Sequence, residues 1–168
     1  MNDEGSLGAW TLRPYAPVDR DAFIALNLDW IQDYFSVEPS DEDQLNRLEV
    51  SILGRGGRIL VAEEGGAVVG VGAIVPPHHD PKDGRRWFEV IKMATDRSRR
   101  GQGIGRGVLR GLIDEAKALD GDALWLETNG RLEPALRLYL SEGFQSLQRE
   151  DWWPTPYTRC DRQMILEL

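Results

Sequence analysis

Two rhythms of apolar residues alternate along the chain. Arg58-Ile59-Leu60-Val61-Ala62-Glu63 and Ala67-Val68-Val69-Gly70-Val71-Gly72-Ala73-Ile74-Val75 are β-branched runs on either side of Glu64-Gly65-Gly66. Gly-Gly between such runs predicts a β-hairpin. Trp87 to Thr95 and Ala123 to Thr128 read as further buried strands. Weak alternation over Trp10–Arg13 predicts a first strand, and 144–149 and 163–168 two last ones. Elsewhere the spacing is helical. Phe23, Leu26, Trp30 and Ile31 predict a helix reaching about Tyr34. Ser40-Asp41-Glu42-Asp43 opens a second, carried by Leu45, Leu48, Ile52 and Leu53 and stopped by Gly54 to Gly57. Ile104 to Leu119 is a third. Leu132 to Glu142 is a fourth, with Pro134 in its first turn and Gly143 at its end. Pro76 to Arg86 reads as a polar loop, and Trp152 to Tyr157 as an aromatic, proline-rich one. Strands alternating with helices predict a mixed α/β (α+β) fold around one central sheet. Residues 1–8 read as a flexible tail and 9–168 as a single domain, without internal repeats.

Composition narrows the function classes. The 168 residues are 41% hydrophobic and 29% charged, ordinary for a soluble globular protein. A net charge of −8 argues against a general nucleic-acid binder, whose affinity rests on a basic surface. It suits a cationic small molecule, or simply solubility. No apolar run approaches the roughly 18 residues of a membrane helix, and Met1 to Ser6 is acidic and polar, unlike a signal peptide. The single cysteine, Cys160, agrees with a reducing compartment. No membrane partner and a cytoplasmic location are therefore expected. His78-His79-Asp80 lacks a third ligand at useful spacing, so no metal is expected.

The densest chemical signal is Arg99-Arg100-Gly101-Gln102-Gly103-Ile104-Gly105-Arg106-Gly107, between a strand and a long helix. A glycine-rich turn opening a helix exposes backbone N–H groups and the positive end of the helix dipole, which suits a phosphate. A P-loop is ruled out because no Lys-Ser/Thr pair follows. A dinucleotide fingerprint is weakened by Arg106, which stands where its third glycine belongs. The stretch instead resembles the pyrophosphate motif Q/R-x-x-G-x-G/A of the GNAT superfamily of N-acetyltransferases, matched by Arg100-Gly101-Gln102-Gly103-Ile104-Gly105. Its context agrees. A strand carrying Glu89 precedes it, and Val108, Leu109, Leu112 and Ile113 follow on a helix. Then come Leu126-Glu127-Thr128-Asn129 and Ala135 to Phe144, which looks like the family's A-x-x-L-Y-x-x-x-G-F. One departure is Thr95-Asp96-Arg97, where many members carry Val-x-Pro.

The resemblance implies a central, twisted, mostly antiparallel sheet of six to seven strands with about four helices on both faces. It implies transfer of an acetyl group from acetyl-CoA to a primary amine of a small molecule or peptide, by direct attack in a ternary complex. The alternative is a non-catalytic acyl-CoA-binding sensor of the same fold. The N–H groups of Gln102, Gly103, Ile104, Gly105 and Arg106 would hold the pyrophosphate. Arg100 and Arg106 either add charge or are a solvated helix start. Met93, Ala94 and Thr95 would pair with the pantetheine arm, with an N–H near Met93 polarising the thioester. Asn129 would contact the arm, or serve as a plain turn residue.

Glu89 is the candidate general base. It is a carboxylate inside the apolar run Trp87-Phe88-Glu89-Val90-Ile91, and burial raises a carboxylate's pKa. The open alternative is a structural pair with Lys92 or an arginine. Tyr139 stands at the family's leaving-thiolate position as candidate general acid, or else is a core aromatic. By the fold, Trp30, Tyr34, Trp153 and Tyr157, with Phe35 and Trp152, fall near the acceptor pocket. Asp33 and Asp29 are placed there to select an ammonium group. As a group they suggest a small, partly apolar amine. A homodimer is compatible with the sequence.

Overall fold

The computed structural model describes residues 10–81 and 83–168. The tail expected over residues 1–8 lies outside them. Short β1 (Thr11–Pro14) leads through a 3₁₀ turn into α1 (Arg20–Tyr34). Then come α2 (Pro39–Asn46) and the four-residue α3 (Leu48–Ser51). The hairpin follows as β2 (Arg58–Glu64) and β3 (Ala67–Val75). Gly65 and Gly66 both take positive φ, 57° and 81°, as a tight two-residue turn needs. Next are β4 (Trp87–Thr95), α4 (Ile104–Ala118), β5 (Ala123–Thr128) and α5 (Glu133–Ser141). β6 (Gln145–Ser146) and β7 (Arg162–Glu167) close the chain.

The seven strands form one mixed sheet in the order β1-β2-β3-β4-β5-β7-β6. Every neighbour pair is antiparallel except β4 and β5. Strand alternation sends side chains to two cores. Leu60, Ala62 and Ile74 join Val108, Leu109 and Leu112 of α4 on one face. Ile59, Val61 and Val71 join Phe23, Leu45 and Leu48 from α1 to α3 on the other.

Two details depart from the sequence reading. The second helix is broken at Arg47, whose φ and ψ of −127° and 34° are not helical, giving five α-helices among the described residues where about four were expected. No glycine or proline lies between Gln44 and Ile52 to signal the break, so packing of Leu45, Leu48 and Ile52 against the sheet sets it. The strand expected over 144–149 shrinks to two residues, because Phe144 turns into the core.

The site is prepared by how β4 and β5 part. Their parallel ladder has three rungs only, Trp87 with Ala123, Phe88 with Leu124 and Glu89 with Trp125. Past Glu89 the strands diverge. β4 also carries a bulge. Its register to β3 jumps from Ala73–Ile91 to Val71–Ala94, so Lys92 and Met93 together oppose Gly72. Val90 and Met93 therefore share the α4 face, while Ile91 and Ala94 share the opposite one. Lys92 takes φ of 54° at this point, a conformation that costs a non-glycine residue about 1 kcal/mol.

Candidate active site

The gap between the diverging ends of β4 and β5 is a cleft of about 690 Å³, within the range of small-ligand sites. Its walls are the second half of β4, the end of β5, the start of α4, one side of α5 and the segment 157–160.

One end is built from the glycine turn. Gly101 and Gly103 take φ of 78° and 77°, and a Cβ added at either would meet nothing within 4 Å, so the backbone there is bare. Gly103 caps α4, and the first helical bond runs from Gly107 N–H to Gly103 O at 2.9 Å. The N–H groups of Ile104, Gly105 and Arg106 thus have no partner within the helix. Arg100 lines the cleft and forms no ion pair among the described residues. Arg106 also lines it, but its guanidinium is tied to Glu142 and to Ser141 Oγ at 2.9 Å. Gln102 does not line the cleft. Its Oε1 accepts from Arg99 at 3.0 and 3.1 Å, which turns the side chain away and leaves only its backbone in the turn. Met93, Ala94 and Thr95 form the β4 wall, facing Asn129 at the end of β5. Asn129 Nδ2 donates to Arg159 O at 2.7 Å, and its Oδ1 accepts from Arg131 N–H at 2.8 Å. That side chain shapes its own turn and fastens the neighbouring loop.

Glu89 sits on the last rung before the strands part. It is 4% exposed, and its Oε2 has no hydrogen-bond partner among the described residues. Burial, reinforced by the charge of Glu127, pushes its carboxyl up to about 8. Lys92 is not its partner, because Lys92 Nζ donates to Asp41 Oδ1 at 2.6 Å. Glu127, on β5, lines the same cleft and is likewise raised, chiefly by burial. Tyr139 lines the cleft from α5. Its half-buried ring packs against Phe144 at 5.8 Å, and burial pushes its phenol up to about 12. The phenol therefore stays protonated at neutral pH.

At the other end Trp30, Tyr34 and Tyr157 line the cleft with Phe35, Gln44 and Arg159. Arg159 grips Asp41 with two hydrogen bonds of 2.7 and 2.6 Å. Its guanidinium lies 4.5 Å from the Tyr157 ring centroid, 5.8 Å from that of Trp30 and 5.9 Å from that of Phe35. Burial pushes fully enclosed Asp41 up, but Arg159 and Lys92 outweigh it and hold the carboxyl down at about 2.

Three expected acceptor residues lie outside the cleft. Asp33 and Asp29 are exposed and pair with Arg97 at 3.4 and 3.2 Å, outside the cleft. Trp153 is 7% exposed, stacked on Trp125 at 4.8 Å and tilted against Trp87 at 5.3 Å. It is a core wedge and not a cleft wall. Conversely, sequence reasoning gave no site role to Glu127, Asp41 or Arg159, and offered Lys92 only as a structural partner for Glu89. Glu127 carried the same signal as Glu89, a carboxylate on an apolar strand. The Asp41–Arg159 pair, 118 residues apart, left none. Among the described residues no group of three His, Cys, Asp or Glu side chains is placed to hold a metal ion. None of their helices is long and apolar enough to cross a membrane.

Known proteins share this fold. The profile of the Acetyltransferase (GNAT) family matches residues 24–144. Over 95 residues the chain is 35% identical to N-acetyltransferase 8F1 of Rattus norvegicus, a stretch covering 56% of this chain and 42% of the relative. The chain thus spans about two fifths of the length of that curated relative. Among solved structures, a GNAT-family acetyltransferase of Staphylococcus aureus Mu50 superposes with a TM-score of 0.82 at 20% identity, covering 95% of this chain and 99% of that one. A GNAT superfamily phosphinothricin acetyltransferase of Sinorhizobium meliloti, solved in complex with AcCoA, superposes with a TM-score of 0.76 at 21% identity, covering 96% and 89%. These two share the fold. The family profile spans most of the chain, which belongs to the GNAT family of acetyltransferases.

Proposed function

We propose that this protein transfers an acetyl group from acetyl-CoA to the primary amine of a small molecule or peptide, by direct attack in a ternary complex. The observation that carries the reading is Glu89, a buried carboxylate lacking a partner at the point where β4 and β5 separate. It shares one cleft with a bare glycine turn and with Tyr139. The donor also fits the residues present. The turn leaves backbone N–H groups open at the start of a 15-residue helix, and Arg100 stands beside them without a competing ion pair. The S. meliloti structure in complex with AcCoA supports the same donor.

Acetyl-CoA supplies the activated thioester. The N–H groups at the start of α4 hold its pyrophosphate. Met93, Ala94 and Thr95, opposite Asn129, hold the arm, and the bulged backbone near Met93 faces the charge developing on the carbonyl oxygen. Glu89 accepts the proton that the amine nitrogen gives up as the N–C bond forms, directly or through one water. Tyr139 gives its hydroxyl proton to the sulfur as the C–S bond breaks. The proton on Glu89 then passes to solvent and the Tyr139 phenolate regains one. Holding both reactants in one cleft supplies much of the remaining rate.

The test is a panel of amines and N-terminal peptides with acetyl-CoA, read as free CoA and as acetylated product by mass spectrometry. Equal amounts of CoA and product from at least one acceptor are expected. Tight acetyl-CoA binding with no product from any acceptor would instead identify a non-catalytic sensor.

A further inference from the structure

Asp41 stands in the first turn of α2 and is fully enclosed, although it is a carboxylate. Four hydrogen bonds converge on it. Its Oδ1 accepts from Lys92 Nζ and from Arg159, each at 2.6 Å. Its Oδ2 accepts from Arg159 at 2.7 Å and from the Glu38 backbone N–H at 2.9 Å. Three segments distant in sequence thus meet on one side chain: the start of α2, the bulge of β4 and the cleft wall at Arg159. The last is fastened from its other side as well, because Arg159 O accepts from Asn129 Nδ2 at 2.7 Å.

We propose that Asp41 is a positioning residue for acetyl transfer: acting through Lys92, it holds the β4 bulge in the form that aims the Met93 N–H at the thioester carbonyl. The proposal rests on the acetyltransferase reading above. Three observations lead there. First, Met93 has no rung on either side. The register to β3 skips Lys92 and Met93, and the ladder to β5 ends at Glu89. The direction of the Met93 N–H therefore follows the backbone of Lys92. Second, Lys92 holds a φ of 54°, which a non-glycine residue adopts at a cost of about 1 kcal/mol. Its ammonium is buried, with the side chain 4% exposed, and is bonded to Asp41. The strained residue is thus anchored at the far end of its own side chain. Third, Asp41 is itself immobilised by the two bonds from Arg159. A buried ion pair adds little net stability over apolar side chains of similar volume. Directed bonds from three segments to one carboxylate do fix their relative positions. A donor that stabilises developing charge works only when it is held in place beforehand, and a misplacement of about 1 Å costs up to about a hundred-fold in rate.

The experiment compares the full chain with Lys92→Met and Asp41→Asn. Lys92→Met removes the ammonium and leaves Asp41 paired with Arg159, so no buried charge is stranded. Backbone ¹⁵N relaxation is measured first, without acetyl-CoA. In the parent the Met93 amide is expected to be as rigid as regular backbone, with an order parameter of about 0.85, and in either variant that folds it should be clearly lower. Infrared difference spectra are then taken with acetyl-CoA labelled with ¹³C at the acetyl carbonyl. The carbonyl stretch should lie at higher wavenumber on the variants than on the parent, with the acetyl-CoA Kd changed by less than about three-fold. A merely structural ion pair would lower stability without moving that stretch. A mobile Met93 amide in the parent, an equally rigid one in a folded variant, or an unmoved carbonyl stretch would each overturn the proposal. Failure of the parent to bind acetyl-CoA would defeat the transferase reading, while the relaxation data would still decide whether the ion pair holds the bulge.

Discussion

A carboxylate without a partner inside an apolar strand must be held against its own solvation, and Glu89 pays that cost at the mouth of a cleft. With its carboxyl near 8 in the fold against an ordinary 4.5, the folded chain keeps a proton that the unfolded chain releases. The stability this gives is complete below about 4.5 and is lost as pH rises through about 8. Glu89→Gln should therefore gain in melting temperature relative to the parent as pH goes from about 5 to about 9. A constant difference between the two melting curves would contradict the buried, raised carboxyl. The same group predicts that kcat/KM rises with pH through an inflection near 8, and that the glutamine variant flattens this limb. Tyr139→Phe should cost turnover about ten-fold or more while leaving the acetyl-CoA Kd unchanged. Unchanged turnover would return Tyr139 to the core. Glu89 was legible as a charged residue in an apolar run. Glu127 had the same signature but reads as the polar end of a strand until the fold sets it beside Glu89. Asp41 and Arg159 meet only through tertiary packing, and that meeting determines which cations are spare.

Among the elements, α4 and β3 matter most to the donor end. Ile104, the first residue of α4, lies directly behind the bare turn, and a Cβ at Gly70 of β3 would come 2.4 Å from its Cγ2. Gly70→Ala should push α4 outward. The expected result is a loss of about 1–3 kcal/mol in denaturant unfolding, together with weaker acetyl-CoA binding. Lost stability with an unaltered acetyl-CoA Kd would mean that the turn does not depend on this contact. The hairpin, β5 and α4 were readable because periodicity and glycine punctuation agree along them. The break at Arg47 and the bulge at Lys92 were not. Both are imposed by packing on the sheet, and neither carries a glycine or proline.

At the scale of the molecule, the function lies in a sheet that parts where its one parallel pair of strands ends. Under the proposed function the donor's phosphates would lie on the α4 side of the gap and the acceptor towards α1 and α2, and Glu89 stands where the gap begins. Cys160 also lines the cleft, but burial and the charge of Glu127 push its thiol up to about 12, so it stays protonated and is a poor nucleophile. Acetyl transfer should then pass directly from donor to amine. The most direct test is a grid of initial rates over acetyl-CoA and an accepted amine, with intact-protein mass taken after incubation with acetyl-CoA alone. Intersecting double-reciprocal lines and an unmodified mass are predicted. Parallel lines with an acetylated protein would contradict the account.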